Sequence, residues 1–499
     1  MISPIDKKPA IVRDKAQRQR ARRCEHWLAA LWASGLGVLL LTAGWTPSAH
    51  AALSETAAIL NPTPDHADGF GVAVDIDGDL AIVGAYQEST DAGNANPKDK
   101  AGAAYIYQRS NGAWTLVQKL VPNDRHANQR FGGSVSISGS HTALIGAGGG
   151  LTNGVANAGA AYFFVKGGNG VWQQAQKVTA PTPEVAANFG GNGGSRGGVA
   201  LDAAGDTAVI GAWREPAGGP LRQSGAAYVY RRQGFTTWQM VQRVAPPFPE
   251  KDGHFGAAVA LRNDHIMIGA PDEKLDPNTT QSIAISGTVY HFSNTGTSAN
   301  PNWQMAQRIV ASDRNEGDGF GKALAFSGNL LVVGSVGNSR DGNGIGPLLA
   351  NAGAAYVFNA TAGPGGWVQT QKLTIPAPHR TAGDQFGASV ALDKNTQFLV
   401  VGAPGERHDV DEVSNPIPVT GSAYVYQLSG TQAPWTANLA QKLVASDRSY
   451  HQVFGYRVGV TTASGNGDPA VLIGSYQFIL PASPPNPSIP SVGKVYLFE

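Results

Sequence analysis

Gly193-Gly194-Ser195-Arg196-Gly197 has the G-x-S-x-G spacing that presents a serine hydroxyl as a nucleophile. That chemistry requires a sharp strand-to-helix turn in an α/β fold, and a glycine-rich insertion in a strand-like chain does not supply one. His408, Asp409, Asp411 and Glu412 crowd one segment and could ligate a cation, yet they read first as a solvated acidic loop. Neither paired histidines nor an HExxH spacing points to zinc. The tripeptide Arg-Gly-Asp is absent. No catalytic residue is assigned on this basis, and type and spacing alone name no ligand-binding residue.

The elements that would position such groups are legible in composition first. The chain has 499 residues, 42% apolar and 15% charged, with 64 glycines and 31 prolines. So many turn formers favour all-β over helical architecture. Residues 1–51 read as a signal peptide: a basic stretch from Lys7 to Arg23, an apolar run from Trp27 to Trp45, then Ala49-His50-Ala51 for cleavage. An uncleaved membrane anchor is the alternative, because the apolar run is about 19 residues, near the length that spans a bilayer. Cleavage would remove Cys24, the one cysteine, and leave no thiol for a disulfide or a metal. Segment 1–51 holds 8 of the 37 Lys+Arg and 3 of the 36 Asp+Glu, so residues 52–499 carry a net charge near −4. A nucleic-acid partner is excluded by that balance, since phosphates need a basic face.

Self-similarity dominates residues 52–499. A Phe-Gly pair recurs at Phe70, Phe131, Phe189, Phe255, Phe320, Phe386 and Phe454, spaced 58 to 68 residues apart. Each opens an alternating run such as Val72, Val74, Ile76. A second run ends in Gly-Ala or Gly-Ser, from Gly84 to Gly474, and Gly-x-x-Tyr follows, from Tyr105 to Tyr496. Tryptophan then precedes Gln-Lys/Arg-aliphatic six times, from Trp114 to Trp435. Four short runs per unit predict a four-stranded antiparallel sheet, and seven units predict a radial propeller.

The seventh unit ends at Glu499 without its tryptophan strand. Ile59 lies 11 residues before Phe70, as Leu120 lies 11 before Phe131. Segment 53–60 is therefore expected to complete blade seven and close the ring. The fold class is an all-β, seven-bladed β-propeller over residues 52–499. The repeated residues are read as packing, so function belongs to what differs between units. The long, dissimilar 2–3 connections share one face with the 4–1 loops, and variable loops on a rigid scaffold are where binding residues reside.

This Phe-Gly … Gly-Ala … Gly-x-x-Tyr-x-Tyr/Phe pattern resembles the FG-GAP repeats of integrin α-subunit propellers and their bacterial relatives, over residues 53–499. The resemblance implies a seven-bladed, usually extracellular propeller used in adhesion or ligand recognition. Integrin-type repeats often carry a calcium loop, D-x-D/N-x-D-G-x-x-D, between strands 1 and 2. Calcium needs several converging oxygens. Asp75-Ile76-Asp77-Gly78-Asp79 approaches the loop but has glycine at position 4 and Leu80 where the loop glycine belongs. Asp75, Asp77 and Asp79 are read as a polar hairpin turn and are also the candidate metal ligands, with calcium the candidate cofactor. Asp202 and Asp206 are sparser still.

Asp124-Arg125, Asp313-Arg314 and Asp447-Arg448 recur in the 4–1 loops. They form either turn-stabilising surface pairs or a charged rim around the axial opening. The expected function is a non-catalytic recognition or adhesion module, a monomer that is secreted, periplasmic or on the cell surface. It would bind a protein or glycan through the 2–3 and 4–1 loop face, touching membrane only through an uncleaved leader. The alternative is a glycan-acting enzyme. Converging carboxylates at the propeller mouth would favour the enzyme, and a mouth of Gly, Ala and Asn would weigh against it.

Overall fold

The structure, a computed structural model, describes residues 52–499 apart from 66, 140, 192, 194–197, 218–220, 276–281, 298–299, 343–345, 362–365, 394, 396, 410–415, 431–433, 463–466, 480–487 and 489. The leader 1–51, Ser195 with its flanking residues, and Asp411 and Glu412 lie outside the described residues.

Seven four-stranded antiparallel sheets form the propeller. In blade 1 the strands run Phe70–Asp77, Leu80–Ala85, Ala103–Ser110 and Ala113–Leu120. The first strands of all seven blades line the axis. Second strands lie mid-blade with both faces covered, so they are mostly apolar: Leu80–Ala85 is buried at every position. Apolar clusters bridge neighbouring blades, as where Ile82 and Ile106 of blade 1 join Val135 and Ile145 of blade 2.

The repeated residues make the junctions between blades. Each phenylalanine of a Phe-Gly pair is fully buried against its own blade's tyrosine, as with Phe131 and Tyr162 at 5.5 Å between ring centroids. The main chain of Phe131 also pairs with Gly102 of the preceding blade. A Cβ on Gly102 would lie 2.0 Å from the Phe131 carbonyl oxygen, and Gly102 has φ +86°. Close approach and a left-handed backbone together demand glycine there.

The repeated glutamine has a separate task. Gln118 Nε2 donates to the Trp172 carbonyl at 2.8 Å, and the Trp172 N–H donates to Gln118 Oε1 at 2.9 Å. The same two-way clamp joins Gln176 to Trp238, Gln242 to Trp303, Gln307 to Trp367, Gln371 to Ala437 and Gln441 to Leu53. A side-chain amide thereby satisfies the exposed edge of the next outer strand.

Blade 7 is built from Arg457–Thr462, Pro469–Ser475, Lys494–Phe498 and the N-terminal strand Glu55–Leu60. Ile59 pairs with Val495 and Leu60 with Lys494. Ser54 and Glu499 exchange main-chain hydrogen bonds at 3.1 Å, extending the closure one residue beyond the strand. The expected closure by segment 53–60 is thus the one observed.

Candidate functional site

The first strands enclose an axial pocket of about 350 Å³. Its wall is mostly Ala, Gly, Val and Ser, with Asp75, Asp77 and Asp202 the lining carboxylates. Lys322 and Arg457 stand where first strands begin, at the loop-face end. Arg457 lies 4.8 Å over the Tyr456 ring, which is 4.3 Å from Tyr476. Burial pushes the Tyr476 phenol up to about 12, and that of Tyr86, packed on the same cluster, also upward.

The structure sends the three candidate calcium ligands in two directions. Asp75 and Asp77 alternate on one strand face and turn toward blade 2. Asp75 Oδ2 accepts from Ile137 N at 2.8 Å and Ser136 Oγ at 3.2 Å, while Asp77 Oδ2 accepts from Gly139 N at 2.6 Å. Burial pushes the Asp75 carboxyl up to about 6, against the lowering effect of its amide donors. Asp79 instead accepts from Arg109 Nε at 2.9 Å. Among the described residues no three His, Cys, Asp or Glu side chains converge to hold a metal. Asp75 and Asp77 staple blade 1 to blade 2 while Asp79 pairs within blade 1, an arrangement that spacing within one turn could not reveal.

Among the described residues, six blades share an acid joined to the Gly-x-x-Tyr hydroxyl and to a lysine or arginine, a role that the sequence reading missed; the glutamates are buried, while Asp124 and Asp447 are exposed. In blade 1, Glu88 accepts from Tyr105 Oη at 3.2 Å and pairs with Lys119 at 3.3 Å. In blade 3, Glu215 accepts from Tyr228 at 2.7 Å and pairs with Arg243 at 2.7 Å. Glu273 takes the same place in blade 4 with Tyr290 and Arg308. Blades 2, 5 and 7 reach the same triad by another route, using an aspartate of the preceding 4–1 loop. Asp124 meets Tyr162 at 2.9 Å and Lys177 at 2.5 Å. Asp313 meets Tyr356 and Lys372, each at 2.7 Å, and Asp447 meets Tyr496 at 2.6 Å and Lys494 at 2.5 Å.

A signal for this exchange exists in the sequence. Glutamate stands four residues after the second-strand glycine in blades 1, 3, 4 and 6, where blades 2, 5 and 7 have Gly150, Asn338 and Phe478. The aspartates of the Asp-Arg pairs fill those three gaps. Their arginines reach backward to the preceding blade: Arg125 to the Ser89 carbonyl at 2.5 Å, Arg314 to Ser286 Oγ at 2.6 Å and Arg448 to the Arg407 carbonyl at 2.6 Å. Each pair therefore ties two blades at the loop face. His408 and Asp409 join a similar local network, with His408 beside Glu406 at 3.0 Å and Asp409 beside Arg448 at 3.1 Å.

Raised carboxyls lie at buried positions beside this network. Burial, then the neighbouring Glu88, pushes Asp68 up to about 7, and burial alone is the largest cause for Asp318 and Asp384, each near 6. Asn61 Nδ2 donates to both Asp68 and Glu88, at 2.8 and 3.0 Å. A carboxylate pair with one raised member is a pattern that catalysis also uses. Here Asp68 is 1% exposed and Glu88 0%, so no substrate reaches them.

The loop face differs in what it exposes. Among the described residues, fifteen large apolar side chains are exposed, and eight belong to 2–3 or 4–1 loops: Leu151, Val185, Phe248, Leu275, Ile285, Leu348, Tyr450 and Ile479. Val171 and Phe235 lie at the opposite face, in 3–4 turns, and the other five lie on outer strands.

The family described as FG-GAP repeat matches residues 54–107, 114–164, 303–358 and 367–426. No curated protein matches the chain. Each matched segment runs from the fourth strand of one blade, or from the closing strand, through the third strand of the next. The blades between them repeat the same Phe-Gly docking and glutamine clamps, and the chain is an FG-GAP repeat protein folded as a seven-bladed β-propeller.

Proposed function

We propose that this propeller is a non-catalytic recognition module that binds a protein or glycan through its 2–3 and 4–1 loop face. The observation that carries this reading is the concentration of exposed apolar side chains on those loops, while the repeated acids are engaged by tyrosine and lysine or arginine. Aromatic and apolar anchors on a rigid frame are what recognition surfaces use. Asp75 is the observation on the enzymatic side, a raised carboxyl on the axial pocket. Its amide and hydroxyl partners hold it as a junction residue, and the pocket wall around it is mostly Ala, Gly, Val and Ser.

Residues 1–51 act in this reading as an export signal, delivering a monomer to the periplasm, the cell surface or the medium. Among the described residues, no helix is long and apolar enough to cross a membrane. Calcium would bind the Asp75–Asp79 turn only by displacing the amides of Ile137 and Gly139.

Binding of residues 52–499 to an array of glycans and matrix proteins, with calcium and with chelator, tests the proposal. Saturable binding is expected, weakened about tenfold or more by Phe248→Ser with Tyr450→Ser, as loss of aromatic anchors does. Binding indifferent to loop-face substitutions would overturn it, and hydrolysis of an arrayed glycan would establish the enzymatic reading instead. Dependence on calcium would assign the turn as a metal site.

A further inference from the structure

We propose that the groove between the outer strands of blades 4 and 5 is a subsite for a carboxylate-bearing sugar, read by Arg340. The inference rests on the recognition reading above and gives it a ligand class. The groove has a volume of about 800 Å³. One wall is Gln307–Asn315, running from the blade 4 outer strand into the 4–1 loop, and the other includes Arg340, Trp367 and Gln369.

The side-chain acceptors in this groove are engaged while a donor remains. Asp313 is held by Tyr356 and Lys372. Gln307 is bonded in both directions to the Trp367 main chain. Gln369 is bonded in both directions to Ser312, through N–H and Oγ at 3.0 and 2.9 Å. The Arg340 guanidinium makes one long bond, to Asn315 Oδ1 at 3.4 Å, and no carboxylate among the described residues pairs with it. A guanidinium offers five N–H donors in a planar fork that fits a carboxylate bidentately. Such a site takes an anion and rejects a cation.

Two features favour a sugar acid over an acidic peptide. The main chain of Trp367 and the N–H of Ser312 are already occupied, so an added peptide strand finds no ladder to join at these points. Val368, 51% exposed, offers an apolar rim for the face of a ring.

The matching groove between blades 6 and 7, of about 890 Å³, provides an internal contrast. Glu55 stands there in the place of Gln369 and caps Ser446 at 2.9 and 2.8 Å, and Asp409 occupies Arg448. The frame is the same and the charge is not. Of these two grooves, the one between blades 4 and 5 suits an anion.

Titration of residues 52–499 with tetragalacturonate, its methyl-esterified counterpart and a hexaglutamate peptide tests the assignment. The acid is expected to bind saturably and about tenfold or more tighter than the ester, the scale of a charged hydrogen bond. Binding should weaken with salt, disappear in Arg340→Met and return in part with Arg340→Lys, while the thermal melt is unchanged. Equal affinity for acid and ester, or full binding in Arg340→Met, overturns the proposal. Tighter binding of hexaglutamate replaces the sugar with an acidic protein and overturns it also. An array ligand lost in Phe248→Ser with Tyr450→Ser but unaffected in Arg340→Met would leave the recognition reading standing and remove this one.

Discussion

Six junctions between blades and the seventh are closed by different means. At the six, a glutamine of one outer strand clamps the main chain of the next, and the tryptophans clamped at four of them are buried: Trp172, Trp238, Trp303 and Trp367. Between blades 7 and 1 the glutamine position is Ala57, and Trp114 is half-exposed. Glu499 substitutes from the other terminus, accepting from Trp114 Nε1 at 3.2 Å and pairing with Arg109 at 2.8 Å. A ring whose last blade is assembled from both ends needs no amide clamp where the chain itself supplies a strand and a terminal residue. The price is a seam that depends on main-chain pairing.

The contrast is broken most severely by starting the chain at residue 62. Without Glu55–Leu60 the Lys494–Phe498 strand loses its ladder, several hydrogen bonds of about 1 kcal/mol each. Thermal unfolding and size-exclusion chromatography should show a destabilised, association-prone protein, since an open strand edge invites pairing. Unchanged melting would mean that the closing strand is dispensable. Next comes Gly493→Ala at the seam, set against Gly102→Ala at a clamped junction. An added Cβ would meet the Phe70 carbonyl oxygen at 1.9 Å in one and the Phe131 oxygen at 2.0 Å in the other. Both have positive φ, so each should cost roughly 2–4 kcal/mol, the range of overpacking combined with backbone strain. A larger loss at Gly493 in denaturant melts would locate the weaker junction at the seam.

How much of this was readable in advance depended on range. The offset of Ile59 from Phe70 matched the other units, and it foretold the observed pairing of Ile59 with Val495 because strand register is carried by spacing. Phe-Gly and Gly-x-x-Tyr were read correctly as packing, although sequence could not show that they dock on each other across blades. Asp75 and Asp77 were compared with a local calcium loop, whereas their partners Ile137 and Gly139 lie on the next blade. The aspartates of the Asp-Arg pairs were weighed against their adjacent arginines, but each reaches forward to a tyrosine and a lysine. Local pattern specifies the blade, and side-chain partners in loops are fixed by how blades meet.

A smaller effect should follow from moving the clamp. Gln242→Ala removes both bonds to Trp303 and should cost about 1–2 kcal/mol. Ala57→Gln places the missing amide at the seam and should stabilise by up to about 1 kcal/mol. Equal and negligible changes in both would show that the clamps satisfy an edge without holding the ring.

The mildest probe is pH, because acids on the two sides of this contrast shift in opposite directions. Asp68 precedes the first strand of blade 1, at the seam, and burial with Glu88 nearby raises its carboxyl to about 7. A folded pKa above the unfolded one means that stability from Asp68 is complete below about pH 4. That contribution falls as pH rises toward 7, where the buried carboxyl must ionise. Asp124, at the clamped junction of blades 1 and 2, is also pushed up by burial, but hydrogen bonds from Lys177 and Tyr162 outweigh that and leave it below the ordinary range. Its contribution is present above the unfolded pKa and is lost as pH falls through the lowered one. Melting temperatures between pH 4 and 8 should therefore rise at the alkaline end in Asp68→Asn and fall there in Asp124→Asn. Parallel profiles for the two variants would mean that seam and junction share one electrostatic character, with Ala57 and Glu499 the remaining difference between them.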